Sequence, residues 1–380
     1  MRIAVVGGGP GGLYFAYLFK RRHPGARIDL FEQNPAGATW GFGVVFSEQA
    51  LEFLRADDPE TVDAIAPHME SWKNITINLR GESVAIDGVG FAAIGRLQLL
   101  NLLQERVRAA GVVAHYERTI QSAGELSGYD LIVAADGLNS AVRRGYEGDF
   151  GTSLSYSSNK FAWYGTTKVF DTLSQTFVAT ELGAFNAHHY RYSKSMSTFL
   201  VECDRETWLH YGFASMSAEE SKAICERVFA DALQGHPLIS NRSVWRNFPW
   251  LWNEQWSFQN VVLIGDALHT AHFSIGSGTR LAMEDAIALV KALESEGDIP
   301  SALALYQAQR KPIVQKLVAA ARTSADWYEN FAEHMRRPPM DFAMSYITRS
   351  GRIDPARLRA MSPEFMARYD AEAREARRAD

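Results

Sequence analysis

Val261-Val262-Leu263-Ile264-Gly265-Asp266-Ala267-Leu268-His269-Thr270-Ala271-His272-Phe273-Ser274-Ile275-Gly276-Ser277-Gly278-Thr279-Arg280 decides the fold. It reads as a buried apolar strand, a Gly-Asp turn, an irregular loop and a Gly-x-Gly pair. A helix is predicted from about Thr279, with Met283, Ala286, Ile287 and Val290 on one face. A strand ending in an acid, followed by a glycine-rich helix start, suits a polar ligand. Asp266 can accept hydrogen bonds from ligand hydroxyls, and the free N–H groups around Gly276 to Thr279 form a positive pole for an anion. Alone, a Gly-Asp turn belongs to many strand-loop-helix units; two motifs upstream give it meaning.

The first opens the chain. Ile3-Ala4-Val5-Val6 is a short buried strand, and Gly7-Gly8-Gly9-Pro10-Gly11-Gly12 leads into an apolar helix from Leu13 to about Arg21. Gly7, Gly9 and Gly12 satisfy G-x-G-x-x-G in its proper setting, strand before and helix after. Missing side chains let the backbone approach a pyrophosphate, and the helix N-terminus stabilises its charge. A second strand, Ile28 to Phe31, ends at Glu32 with Gln33 beside it. That acid lies 20 residues past Gly12, where a carboxylate meets an adenosine ribose. The second motif follows the buried strand Leu131 to Ala135: Asp136-Gly137, then a small helix carrying Ser140 and Arg143. A common Asp-Gly solvent turn explains the first two residues but not the whole run.

A chain of 380 residues is long enough for two domains, or one domain with an inserted sheet. The net charge of -5 gives no overall field for nucleic acid, and no 18-residue apolar run points to a membrane. Met1-Arg2-Ile3 enters a strand without a leader pattern. Cys203 and Cys225 have neither disulfide-framework nor metal-ligand spacing, so a reducing cytosol and no metal are expected. No internal repeat is visible, and only the Ala/Arg/Glu-rich tail from Pro355 stands apart in composition.

Between the motifs, residues 33–46 form a glycine- and aromatic-rich loop with Trp40, Phe42 and Phe46. Ser47 is expected to cap a helix through Leu54, and Ile75–Leu79 and Val84–Ile86 read as a hairpin. Arg96 opens a helix bearing Leu99, Leu102, Leu103 and Val107, which Gly111 ends. An arginine in a first turn opposes the helix dipole, which points either to an anionic partner or to a solvated side chain. From Phe161 the pattern turns aromatic and alternating. Residues 161–170, 185–192 and 197–203 read as an antiparallel sheet. His188, Tyr190 and Tyr192 share one face and His189 and Arg191 the other. One face should line a ligand cavity, and alternation leaves open which. Ser217 and Glu220 form a capping box for a helix through about Leu233, and Trp245–Phe248 reads as a strand. Residues 301–334 read as a long helical region with a joint at Pro312. Trp327, Tyr328 and Phe331 are read as core. Arg336-Arg337 and Arg349-Ser350-Gly351-Arg352 are basic clusters, either solvated or set for a phosphate-bearing tail.

Together the motifs predict an α/β (α+β) fold. Residues 1–152 and 260–335 form a discontinuous Rossmann-like dinucleotide domain with C-terminal helices. An antiparallel-sheet substrate domain, 153–259, is inserted in it and shares part of 70–95, and 336–380 is an extension. Gly7-x-Gly9-x-x-Gly12 with Glu32, Asp136-Gly137 with Arg143, and Gly265-Asp266 with Gly276-x-Gly278 resemble the group A flavoprotein aromatic hydroxylases of the p-hydroxybenzoate hydroxylase fold, over nearly the whole chain. Trp40-Gly41-Phe42-Gly43-Val44-Val45-Phe46-Ser47, Leu281-Ala282-Met283-Glu284-Asp285-Ala286 and Tyr346-Ile347-Thr348-Arg349-Ser350-Gly351-Arg352 are similar to the aryl-coenzyme A branch. This is the branch of the salicylyl-CoA 5-hydroxylases and the 2-aminobenzoyl-CoA monooxygenase/reductases. Where the family has proline, the loop reads His272-Phe273-Ser274, and Arg280 stands where it often has Asn.

The resemblance implies FAD. Gly9, Pro10 and Gly11 would hold its pyrophosphate and Glu32 its adenosine ribose, with Arg96 at the ribityl or phosphate region. Asp136-Gly137 would serve FAD and the visiting nicotinamide, Asp266 the ribityl chain, and Gly276, Ser277, Gly278 and Thr279 the flavin ring. It implies hydroxylation of an activated aromatic ring, an aryl-CoA thioester, by O2 and NADH or NADPH through a flavin C4a-hydroperoxide. The alternatives are a non-CoA aromatic or indole substrate, a flavin-linked reductase and a flavin-free escort protein. His188, Tyr190, Tyr192, His269 and His272 are candidates to take the ring proton. Phe46, Trp163, His188, Tyr190, Phe273, Arg349 and Arg352 are candidates to bind substrate. A cytoplasmic monomer or homodimer without nucleic-acid or membrane partners is expected.

Overall fold

The structure, a computed structural model, describes residues 1–47 and 52–379. The helix expected from Ser47 through Leu54 falls largely on residues 48–51, outside the described ones; Glu52–Arg55 is helical. Among the described residues, one sheet runs in the order Ser257–Phe258, Val261–Leu263, Leu131–Ala134, Arg2–Val6, Arg27–Phe31, Val113–His115. All its pairings are parallel except that of the edge strand Ser257–Phe258. Its central strands are apolar throughout because helices cover both faces of a parallel sheet. Helices Pro10–Arg22, Arg96–Ala109, Gly278–Ser295 and Ile299–Glu329 contribute to the same core, with Tyr14, Phe15, Trp256 and Tyr306 fully buried.

The second sheet runs Leu238–Ser240, Thr152–Thr166, Ser197–Cys203, Gly183–Arg191, Leu173–Thr180, Ile75–Leu79, Glu82–Ile86, with Arg246–Asn253 also paired to Thr152–Thr166. Its neighbours are antiparallel except at one seam, where Leu173–Thr180 runs parallel to Ile75–Leu79. The alternating-aromatic reading misses Leu173–Thr180. Its centre, Ser174-Gln175-Thr176, is polar, and the strand is held by ladder bonds on both sides. It also misses the first half of Thr152–Thr166, whose Ser- and Asn-rich stretch pairs with Arg246–Asn253 across a bulge. A small third sheet joins Gly43–Ser47, Phe91–Gly95 and Glu70–Trp72.

The capping box forms at Ser217 and Glu220, but the helix breaks at Phe229 into Ala218–Val228 and Ala230–Leu233. Pro312 does not make a joint: Ile299–Glu329 is one helix through it. Ala308, whose carbonyl loses its amide partner, and Pro312 both lie on the exposed side, where water can serve that carbonyl. Helices Pro339–Thr348, Pro355–Met361 and Pro363–Ala379 cover the hairpin Ile75–Ile86. Asp87 in the hairpin accepts from Phe365 N at 2.8 Å and Glu364 N at 3.2 Å, which satisfies the start of the last helix.

Candidate active site

Parallel strands that end side by side place the sequence motifs together. Arg27–Phe31, Arg2–Val6, Leu131–Ala134 and Val261–Leu263 are consecutive neighbours and end at one edge in Glu32, Gly7, Asp136 and Gly265-Asp266. The contacts at that edge are tight. A Cβ on Gly7 (φ +110°) would sit 2.2 Å from Ala135 O, and one on Gly12 2.1 Å from Gly7 O. Gly11 and Gly265 both face Ala282, at 3.2 and 3.1 Å from a Cβ position. The three separate turns therefore meet around the starts of Pro10–Arg22 and Gly278–Ser295.

Both of these helix starts are bare. Neither Gly9 nor Ser277 makes a side-chain cap bond, and neither first turn contains an acid. Elsewhere Asp58, Asp204, Ser217, Asp298 and Asp354 cap helices with their side chains. A Cβ on Gly9 would meet open space, so backbone donors there are accessible to an anion.

A cavity of ≈ 880 Å³ begins at this edge and runs along the second sheet. At the sheet edge its wall is Asp266, Arg96, Leu138 and Gly276 to Arg280. Asp266 is exposed to this space and accepts no hydrogen bond from the described residues. The enclosing walls push its carboxyl pKa up, opposed by His269 and Arg96. Burial lowers the Arg96 guanidinium, which Asp266 offsets; its Nε donates to Thr39 Oγ1 at 3.0 Å. A polar pair with donors and acceptors to spare faces the cavity beside two open helix starts.

Beneath the Gly265-Asp266 turn lies a closed network. Asp285 accepts from Gly265 N at 3.0 Å and Arg310 Nε at 2.9 Å, and its other contact is His269 Nε2 at 2.9 Å. Arg310 also reaches Glu284 at 2.8 Å. Burial raises the Asp285 carboxyl, but His269 and Arg310 outweigh it and hold the pKa below the usual carboxylate range. His269 belongs to this support and does not line the cavity.

The face of the second sheet that alternation left open is now assigned. Phe161, Trp163, Gln175, His188, Tyr190, Thr198 and Leu200 line the cavity. His189 and Arg191 face the other way: His189 stacks on Phe199, with its Nε2 2.8 Å from Thr176 Oγ1, and Arg191 pairs with Glu70 at 3.1 Å. Tyr190 donates its hydroxyl to Gly43 O at 2.9 Å, and burial pushes its pKa above the ordinary tyrosine value. Phe273 crosses the cavity from the loop before Gly276 and packs on Phe161 at 4.9 Å between ring centres.

Besides His269, three expected site residues lie away from the cavity. Phe46 is buried in the core of the first sheet, while Val44 and Val45 of its strand line the cavity. Tyr192 packs over Gly43 and Gly95, filling the space a side chain would need there. His272 is walled in by Phe248, Trp250 and Phe273, its Nδ1 accepting from Ser274 N at 3.3 Å. Gln33 follows Glu32 directly at the nucleotide edge and is exposed there. Arg349 lines the cavity, but its guanidinium is committed. It donates to Ser324 Oγ, Tyr346 O and Ser274 O at 3.0, 2.7 and 2.8 Å, and so clamps the loop before Gly276. Glu32 likewise has partners, accepting from Gly8 N at 2.7 Å and from Asn34 N at 2.8 Å and Nδ2 at 2.7 Å. Sequence reasoning missed Arg246 and Arg357, which join Arg352 as exposed lining residues, and Gln175 and Glu202 on polar or mixed strands.

Residues 102–321 match the FAD binding domain family, and residues 5–46 match the NAD(P)-binding Rossmann-like domain. The chain is 41% identical to the salicyloyl-CoA 5-hydroxylase of Streptomyces sp over 97% of its length and 73% of that protein. It is 36% identical to the 3-hydroxy-4-methyl-anthranilyl-[aryl-carrier protein] 5-monooxygenase of Streptosporangium sibiricum, over 93% of this chain and 95% of that one. The chain belongs to the FAD-dependent aromatic hydroxylases. The tetrameric form of 2-methyl-3-hydroxypyridine-5-carboxylic acid oxygenase shares this hydroxylase's fold, with a TM-score of 0.72 at 18% identity over 95% of both chains. The hydroxylase uses FAD, with NAD(P)H as co-substrate. The uncapped helix starts, the open space at Gly9 and the unpaired Asp266 carboxylate fit that dinucleotide. Among the described residues no helix is long and apolar enough to cross a membrane, and no group of three or more His, Cys, Asp or Glu could hold a metal ion.

Proposed function

We propose that this hydroxylase adds oxygen to a phenol- or aniline-type ring carried as a coenzyme A thioester, in a reducing cytosol. The observation that carries this reading is the rim of the cavity. Arg246, Arg352 and Arg357 come from a strand, a loop and a helix, are exposed, and form no ion pair with the described residues. They stand around an interior lined by Phe161, Trp163, Leu200 and Phe273. An apolar chamber that takes a ring, with unpaired guanidinium groups at its mouth, suits a ring with a long polyanionic handle. The relatives named for CoA-linked and carrier-protein-linked aryl substrates support the same choice.

In this reading residues 1–152 and 260–335 hold FAD and 153–259 with the hairpin Ile75–Ile86 holds the ring. Gly7, Gly9, Pro10, Gly11 and Gly12 cradle the pyrophosphate, and Glu32 both braces Gly8 and meets the adenosine ribose. Asp136-Gly137 closes the floor of the nucleotide groove. Asp266 accepts ribityl hydroxyls, with Arg96 beside it. FAD held by these residues would supply hydride acceptance from NAD(P)H and dioxygen activation for transfer of one oxygen atom to the ring. The chain's part is to place and shield. The Ser277–Thr279 backbone amides stabilise negative charge at the ring system, Arg349 fixes the loop that presents them, and Trp163, Phe161 and Phe273 keep water out. Tyr190 and His188 form the polar wall that orients the substrate's OH or NH group.

The test is stopped-flow flavin reduction by NADH and by NADPH against free aromatic acids, their CoA thioesters and the same acyl groups on phosphopantetheinyl carrier protein. Acceleration by CoA thioesters alone supports the reading. Acceleration by a free acid or an indole alone defeats it.

A further inference from the structure

The cavity-facing side of the second sheet does not stop at the cavity. On Ser197–Cys203 the residues facing it are Thr198 and Leu200, and the next position on that face is Glu202. Glu202 stands opposite Asn186, on the strand that carries His188 and Tyr190, and is 1% exposed. Its Oε1 accepts from Asn159 Nδ2 at 2.9 Å and its Oε2 from Asn186 Nδ2 at 3.4 Å. No Lys or Arg pairs with it among the described residues. A fully buried carboxyl held by amides, without a cation, is costly unless it serves the site.

The hydrogen bonds around it fix a direction. Tyr328 donates its hydroxyl to Gln175 Oε1 at 3.2 Å. Gln175 therefore turns its Nε2 to His188 Nδ1, 3.0 Å away, and that nitrogen accepts. The imidazole proton is thus on Nε2, which has no hydrogen-bond partner and lies 3.6 Å from Glu202 Oε2. The His188 ring lines the cavity, Gln175 beside it.

We propose that Glu202 is the buried acceptor of the proton that the substrate's ring hydroxyl or amine gives up, reached from the cavity through His188. The inference rests on the ring-hydroxylation reading above. The substrate O–H or N–H proton passes to His188 Nδ1 as the Gln175 amide swings off it, and the Nε2 proton passes to Glu202 Oε2. The imidazole ends neutral in its other tautomer, and Glu202 ends as a neutral acid. One proton moves from ring to carboxylate, with no change in oxidation state.

The electrostatics agree with neutral end states. Burial, with Arg349 adding to it, holds the His188 pKa down to about 3, so the ring relays the proton without keeping a charge. Burial raises Glu202, against the influence of His272 and the two asparagines. The groups facing this cluster are His272, Tyr328 and Arg349 from the loop and helices packed on the sheet, with Asn159 and Asn186 from its strands.

The test uses the FAD-loaded protein without NAD(P)H and 4-nitrophenol as the probe, whose ionisation is read from its difference spectrum. Wild type is expected to ionise the bound phenol about one pH unit below free nitrophenol, a tenfold shift. Glu202→Gln should abolish that shift, while the dissociation constant of the neutral phenol at acid pH stays within about twofold. Glu202→Asp should restore part of it. His188→Gln, which leaves the buried acid in place, should lose the shift as well; it decides the matter if Glu202→Gln does not fold. An unshifted titration in wild type overturns the proposal, as does a shift that survives Glu202→Gln or His188→Gln. So does a variant whose affinity for the neutral phenol falls as much as its ionisation. If wild type binds no ring probe at all, the ring-hydroxylation reading fails, which is a different result from binding without a shift.

Discussion

The nucleotide edge and the aromatic cavity are built on different terms. At the edge the decisive residues are glycines: Gly7, Gly11, Gly12 and Gly265 let neighbouring turns and helix starts approach closely, and Gly9 leaves open space beside its helix start. Along the cavity the decisive groups are side chains drawn from several strands, a loop and C-terminal helices. A backbone site needs residues that leave space, and few sequences meet that demand. A side-chain site needs only a face of suitable size and polarity, which many sequences provide. The first type is rigid because its parts are bonded in series; the second is adjustable because each wall belongs to a different element.

Breaking the edge should therefore do most damage. Asp285→Ala removes the acid that holds Gly265 N, His269 and Arg310 together and leaves a buried guanidinium uncompensated. It should cost about 3–5 kcal/mol in urea unfolding. The sign of its pH dependence follows from its depressed carboxyl. The stabilisation is full above the unfolded aspartate value of ~3.9 and is lost as pH falls through the lower folded value. Asp285→Asn should flatten stability against pH in that acid window.

Asp266→Ala should spare the fold and weaken FAD by roughly 10- to 150-fold, the worth of a hydrogen bond to a charged group of about 1.5–3 kcal/mol. Fluorescence titration of apoprotein with FAD measures it. An Asp266→Ala protein that keeps full FAD affinity would break the comparison, since the edge would then not depend on the carboxylate that faces the cavity.

The cavity rim should give smaller, additive effects. Each of Arg246→Ala, Arg352→Ala and Arg357→Ala should raise KM for a CoA thioester a few fold, about 0.5–1 kcal/mol, with kcat little changed and the effect fading at high salt. Equal effects on a free acid would show that the arginines do not read the handle. His189→Phe should do least: it lies on the far side of the sheet against Phe199. A stability loss of about 1 kcal/mol from the Thr176 contact is expected, without change in which ring accelerates flavin reduction.

The same contrast explains what the sequence disclosed. The G-x-G-x-x-G run, Asp136-Gly137 and Gly265-Asp266 are short-range patterns, and the structure sets them at one sheet edge. The sheet strands with aromatic alternation were legible, but which face looked inward depended on the helices Ile299–Glu329 and Pro339–Thr348, much further along the chain, and could not be read from period two. Phe46 and Tyr192 share the aromatic character of Trp163 and Phe273, yet third-sheet packing takes them out of the cavity. Gln175 escaped notice because its strand is polar. The commitments of Arg349 and the exposure of Arg246 and Arg357 arise from tertiary contacts that leave no local mark.

The parallel seam between Ile75–Leu79 and Leu173–Thr180 carries a cost in time. The early hairpin leaves the ribosome more than ninety residues before its partner strand is made. At ~5–20 residues per second, it waits roughly 5–20 s with one edge bare. A nascent chain in that interval is most open to chaperone capture or to pairing with another copy of itself, so slowing translation between residues 80 and 172 should lower the yield of native enzyme before any catalytic residue has been touched.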